Sequence, residues 1–215
     1  MIRSIPLLML IFVAGCDSLP GINLFPAAKG IGMVDAVIGE PRVFRNGASF
    51  IVQARVPLQD MDTVITGADD RIRLKMSDGS MITLGGGSEL AFHVYSFISP
   101  SPLVRISFSQ GAFRLKPGRL VKRDDARFRI ATPLATLVVT GGEVWGGDRF
   151  QDHQLDVLLL DDGEVRVFNG HGSTRLARQY HGTTVNFGNA PLEAEAWPIE
   201  EIEDVIASTT LEIGP

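Results

Sequence analysis

The chain has a single cysteine, Cys16, in 215 residues. No disulfide within the chain is available, so its fold must rest on burial and hydrogen bonds alone. No stretch of 18 apolar residues occurs, which leaves no candidate for a spanning helix. Histidine is scarce: His93, His153, His171 and His181 are scattered, and none pairs with an acid or another histidine at metal-binding helical spacing. Positive charge is also short. The net charge is −5, and it becomes −6 once residues 1–15, with Arg3, are set aside. A general nucleic-acid binder usually shows the opposite balance. From Gln179 to Pro215 there is no lysine or arginine, against seven acids: Glu193, Glu195, Glu200, Glu201, Glu203, Asp204 and Glu212.

What is present begins with an export pattern. Arg3 precedes a short apolar run, Ile5 to Val13, interrupted once by Pro6. Spanning a bilayer takes about 20 residues, so this run fits the h-region of a signal peptide. Val13-Ala14-Gly15-Cys16 then resembles the lipobox of bacterial lipoproteins. That resemblance implies cleavage before Cys16 and a diacylglycerol on its thiol. The other reading is a conventional signal peptide with an incidental cysteine. Asp17 resembles an inner-membrane retention signal, and the choice of membrane stays open. The expected organisation is a signal peptide over 1–15, a linker over 16–32, a β-domain over 33–190 and an acidic C-terminal segment over 191–215. Pro20, Gly21, Pro26 and Gly30 mark the linker.

From Met33 to Phe187 the chain reads as strand after strand. Arg71-Ile72-Arg73-Leu74-Lys75-Met76 alternates charged and apolar residues, the pattern of a strand with one wet face. Arg105 to Phe108, Phe113 to Lys116, Arg127 to Ile130 and Val165 to Val167 do the same. Val157-Leu158-Leu159-Leu160 is apolar throughout, as for a strand covered on both sides. Asn46-Gly47, Asp78-Gly79, Asp162-Gly163 and Asn169-Gly170 fit tight turns. Gly39 to Gly47 and Gly163 to Gly170 echo each other faintly. The fold class is therefore all-β, with many short strands in a solenoid-like stack or a meander of sheets. One short C-terminal helix is expected after Pro198, with Glu200 and Glu201 in its first turn and an apolar stripe of Ile199, Ile202, Val205 and Ile206. It should dock on the β-domain, because a free membrane-surface helix would carry lysines.

No residue pattern points to catalysis, a cofactor or a metal. Gly85-Gly86-Gly87 lacks the lysine and helix of a phosphate loop and reads as a turn or bulge. The pairs Asp69-Asp70, Asp124-Asp125 and Asp161-Asp162 adjoin turns and read as turn residues. Trp145 reads as core. The most informative cluster is basic: Arg114, Lys116, Arg119, Lys122, Arg123, Arg127 and Arg129. It could be the wet face of two strands. It could also be a surface for an acidic protein, anionic lipid or an anionic polymer. A third option docks the acidic C-terminal helix on it.

The order of segments resembles the FecR-type periplasmic domain of signal transducers in iron-citrate uptake. The residues concerned are Val37-Ile38-Gly39, Asp62 to Gly67, Asp78-Gly79-Ser80, Leu84, Ser88, Leu90, Gln110 to Phe113, Ile130 to Pro133 and Asp162 to Val165. The resemblance covers roughly residues 33–187. Thr140-Gly141-Gly142 departs from the family's Arg-Gly-Thr. The cytoplasmic sigma-binding segment and transmembrane helix of a family transducer have no counterpart in the sequence. The resemblance implies a non-enzymatic sensing or binding role in the cell envelope, on the periplasmic side, with an envelope protein as partner. The alternative is a structural protein that holds cell-wall or exported polysaccharide.

Overall fold

A computed structural model describes residues 30–96, 102–122, 127–148 and 154–211. In chain order the strands are β1 (Gly30–Ile38), β2 (Arg42–Arg45), β3 (Ala48–Ile51), β4 (Pro57–Gln59), β5 (Thr63–Ile65), β6 (Arg71–Met76), β7 (Met81–Leu84), β8 (Glu89–Ser96) and β9 (Leu103–Gln110). They continue with β10 (Ala112–Lys116), β11 (Arg127–Ala131), β12 (Thr136–Gly141), β13 (Val144–Gly147), β14 (Gln154–Leu159), β15 (Glu164–Asn169), β16 (Gly172–Leu176), β17 (His181–Asn186) and β18 (Glu195–Ala196). One α-helix, α1 (Ile199–Ser208), follows. The all-β expectation is met, with one short α-helix and one turn of 3-10 helix (Leu120–Lys122) among the described residues.

The strands form two sheets of nine. Sheet A has the order β18-β17-β14-β13-β10-β7-β6-β1-β4, and sheet B the order β16-β15-β12-β11-β9-β8-β5-β2-β3. Neither order closes on itself. The chain deals strands to the two sheets in turn: β6 and β7 to A, β8 and β9 to B, β10 to A, β11 and β12 to B, β13 and β14 to A. Both sheets thus grow in step, as a stack does. Neighbours pair antiparallel except β9 and β11, which run parallel. Between those two the chain visits sheet A as β10, and that crossover makes parallel pairing possible.

Alternation decides which side chains meet between the sheets. In β6 Ile72, Leu74 and Met76 are buried while Arg71, Arg73 and Lys75 are not. Phe108 of β9 and Phe113 of β10 meet edge to face across the interior, with ring centroids 4.7 Å apart. The two sheets share one apolar core that includes Phe92, Phe128, Leu74 and Val157.

Three details differ from the sequence expectation. β1 begins at Gly30 rather than at Met33, because Gly32 admits β6: a Cβ there would stand 2.7 Å from the Lys75 carbonyl oxygen. Asp162-Gly163 is a passage from sheet A to sheet B, not a hairpin turn. It presses on the passage between β12 and β13, where a Cβ on Gly163 would stand 2.1 Å from Gly141 carbon. The apolar stripe of α1 is narrower than four residues. Ile202 and Val205 are buried, whereas Ile199 is 58% exposed.

The helix seats on the outer face of sheet A. Trp145, Leu158, Leu160, Ile202 and Val205 form a second apolar cluster there. This explains the unbroken apolar run of β14: Val157 and Leu159 face the sandwich core, while Leu158 faces α1. Trp145 is core as expected, and its Nε1 donates to Ser208 Oγ at 3.1 Å. The acidic C-terminal segment therefore supplies both an edge strand and a cover to the same body.

Candidate interaction surface

The polar residues of the family-like motif come first, because buried polar groups are where chemistry or architecture is decided. Asp62 is fully buried. It accepts from Arg45 Nε and Nη2, each at 2.6 Å, and from the Gln59 amide at 2.8 Å. The hydrogen bond to Asp62 raises the Arg45 pKa, against a smaller opposing effect of burial. Thr66 Oγ donates to the Gly85 carbonyl at 2.7 Å and accepts from the Ser88 amide at 2.7 Å. Ser88 Oγ in turn accepts from the Ala112 amide at 3.0 Å.

Asp78 and Ser80 make a second lock. Asp78 accepts from the Ser80 hydroxyl at 2.8 Å, the Ser80 amide at 3.0 Å and the Tyr95 hydroxyl at 2.7 Å. Ser80 Oγ accepts from the Gly118 amide at 2.8 Å. Burial first, and the Asp78 charge second, push the Tyr95 hydroxyl far above its ordinary pKa. These bonds join the sheets and the passages between them: Asp78 links the β6–β7 turn of sheet A to Tyr95 of β8 in sheet B, and Ser80 holds Gly118 on the way from β10 to β11. Their hydrogen-bonding capacity is engaged within the scaffold, so they serve architecture rather than a ligand.

The remaining candidates also read as structure. Gly85 to Gly87 is the passage from β7 to β8, packed so tightly that a Cβ on Gly86 would stand 1.9 Å from the Ala68 carbonyl oxygen. Asp70 accepts from the Glu40 and Gly67 amides, both at 2.8 Å, and Asp161 from the Asp162 amide at 2.8 Å. His93 bonds Ser107 Oγ at 2.8 Å, and His181 Nδ1 lies 3.1 Å from the Gln179 carbonyl oxygen. Among the described residues no three His, Cys, Asp or Glu side chains converge as a metal site. Cys16, Asp17, His153, Arg123 and Asp124-Asp125 lie outside the described residues.

The basic stretch is divided between the two sheets. Arg114 and Lys116, on the outer face of sheet A, both pair with Glu143, Lys116 at 3.7 Å. Arg119 lies against the carbonyl oxygens of Asp78 and Ser77 at 3.4 and 3.5 Å. Arg129 is on the outer face of sheet B, where it is exposed. Only the backbones of Lys122 and Arg127 are described. The helix contact with sheet A runs through Trp145 and Leu158, packed against Ile202 and Val205.

Register groups the arginines differently. Arg175 of β16 stands opposite Arg166 of β15, and Arg166 opposite Val138 of β12. Val138 stands opposite Arg129 of β11, and Arg129 opposite Arg105 of β9. All four arginines are exposed, and the residues flanking each along its strand turn inward. The result is one row of four guanidinium groups across sheet B. Its sequence signal is one outward arginine from each of four strands, β11 holding a second arginine, Arg127, and only the pairing order connects the four.

Residues 62–171 match a family model described as FecR protein. This chain belongs to the FecR family. Within the match lie Asp62, Thr66, Asp78, Ser80 and Ser88, the residues that lock the two sheets of this FecR-family fold together. Two crystal structures of a candidate anti-sigma factor from Parabacteroides distasonis ATCC 8503 are similar to it. Each has a TM-score of 0.53 and covers 66% of this chain and 62% of that chain, at 19% and 18% identity. The chain thus spans less than two thirds of the length of those structures, and the likeness is one of fold. No curated protein matches this chain.

Proposed function

We propose that this FecR-family chain is a non-enzymatic sensing and binding module, lipid-anchored through Cys16 at the periplasmic side of a membrane, that signals by contacting another envelope protein. Family membership supports a regulatory role. The likeness in fold to a candidate anti-sigma factor is consistent with signal transduction. The lipobox-like Val13-Ala14-Gly15-Cys16 supports the anchor, and Asp17 favours the inner membrane.

One observation carries the choice of binding over catalysis. The buried acids and hydroxyls of the motif are engaged within the scaffold, whereas α1 seats on sheet A and leaves the outer face of sheet B to its arginines. A flat, charged face suits contact with a large partner, not enclosure of a small substrate.

The test is crosslinking in the native membrane fraction, then capture through a C-terminal tag and mass spectrometry, with Cys16→Ser as a control. Capture of one defined envelope protein by the wild type, reduced by Cys16→Ser, is expected. No specific protein captured would contradict the signalling role, and Cys16→Ser protein that stays with the membrane pellet would contradict the anchor.

A further inference from the structure

We propose that the arginine row of sheet B is a binding site for a carboxylate-bearing polysaccharide. This rests on the sensing role above and names the ligand class that such a module would read.

The row has the dimensions of a lane for a linear polymer. Arg175, Arg166, Val138, Arg129 and Arg105 occupy five consecutive strands, so the row is about 19 Å long at roughly 4.8 Å per strand. It crosses the strands rather than following one. Like charges opposite each other on a sheet disfavour pairing. Arg166 faces Arg175 and Arg129 faces Arg105 in this way. Glu164 offsets one end by pairing with Arg175. Arg105 and Arg129 have no acid partner among the described residues. An external anion would relieve that repulsion.

The residue types narrow the ligand. Every charge in the row is arginine, whose planar fork takes a carboxylate through two parallel hydrogen bonds. The next outward-facing row holds Ser107, Ala131, Thr136, Phe168 and Ser173, aligned by the same register. Three hydroxyls, a small side chain and an aromatic ring leave the lane open and offer partners for sugar hydroxyls and ring faces. His93 adds a polar ring beside Ser107. Arg166 lies over the Phe168 ring, 5.5 Å from its centroid, which sets both at the same end of the lane. A membrane surface would favour apolar side chains among the cations. The most exposed large apolar residues of this face, Phe44 and Ile51, lie on β2 and β3, beyond β8 and β5, while Val138 and Phe168 beside the arginines are half-buried. The acidic outer side of α1 lies over the Trp145 and Leu158 part of sheet A, which makes that part unfavourable for a polyanion.

The experiment uses the full-length chain with Cys16→Ser, so that acylation there cannot contribute. Binding is measured to polygalacturonate and alginate, with dextran as the neutral polymer. Poly-L-glutamate and phosphatidylglycerol vesicles are the peptide and membrane arms. The expected result is binding to the two acidic polysaccharides, weakening with added salt, and none to dextran. Arg105→Ser combined with Arg129→Ser should weaken it about tenfold or more. Lys75→Ser combined with Arg178→Ser removes the same charge elsewhere and should change it within about twofold. Unchanged thermal melting of each variant establishes that the fold is intact. Equal loss in both double variants, binding to poly-L-glutamate or vesicles as strong as to the polysaccharides, or no binding at all would overturn the assignment. If an envelope protein is captured from the membrane fraction while no polysaccharide binds, the ligand assignment fails and the sensing role stands.

Discussion

The two outer faces of the sandwich are built from the same alternating strands and end up opposite in character. Sheet A turns Trp145 and Leu158 outward and needs a cover, which α1 provides with Ile202 and Val205. Over that seat the surface is the outer side of the helix, with Glu200, Glu203 and Asp204 exposed and no basic residue in the last turn. Sheet B turns Arg105, Arg129, Arg166 and Arg175 outward. One face has spent its surface on folding. The other has spent part of its folding energy on surface, since lining up like charges costs stability.

The sharpest way to break this comparison is to empty the helix seat. Trp145→Ala should cost about 3–5 kcal/mol in urea unfolding, because it deletes a buried indole and leaves a cavity beneath α1. A cost similar to that of a surface change would show that the helix is not seated as described. The shared interior comes next. Asp62→Ala leaves the Arg45 guanidinium and the Gln59 amide without their acceptor, and should cost about 2–3 kcal/mol by the same measurement.

Tyr95→Phe should cost about 1–2 kcal/mol, and its effect should depend on pH. The native hydroxyl keeps its proton above the ordinary value of 10.0, whereas the unfolded one loses it there. The unfolded state then binds fewer protons, so wild-type stability should fall as pH rises through about 10. Tyr95→Phe should flatten that fall. An equal slope in both proteins would mean that the Tyr95 hydroxyl is not buried beside Asp78 as described. The smallest effect belongs to sheet B. Arg129→Ser should change stability by less than about 0.5 kcal/mol in either direction. A loss comparable to Trp145→Ala would erase the distinction between the faces.

Much of the scaffold was legible in the sequence because alternation is local. The burial of Ile72, Leu74 and Met76 follows from one strand read alone, and the apolar run Val157 to Leu160 foretold a second cover on β14. Asn46-Gly47 forms the expected tight turn, with both residues at positive φ (50° and 82°). The passages were harder. Asp162-Gly163 has the composition of a hairpin turn, but whether a turn stays in its sheet depends on what packs against it, here Gly141. The surface was the least legible part. Nearness in sequence grouped Arg114 with Arg129, yet β10 and β11 belong to different sheets. The arginine row spans residues 105 to 175 and exists only through register. The motif residues were recognisable as a pattern, but their burial was not, since Asp62 and Asp78 are ordinary turn residues until their partners are known.

The helix seat on sheet A serves folding, and the outer face of sheet B serves contact. The most direct test is site-specific photocrosslinking in intact cells, with the reactive residue at Val138 in sheet B or at Glu203 on the exposed side of α1. A discrete or polymer-shifted adduct is expected from position 138 and none from position 203. An adduct from position 203 alone would place the working surface on the helix side and contradict that division of roles.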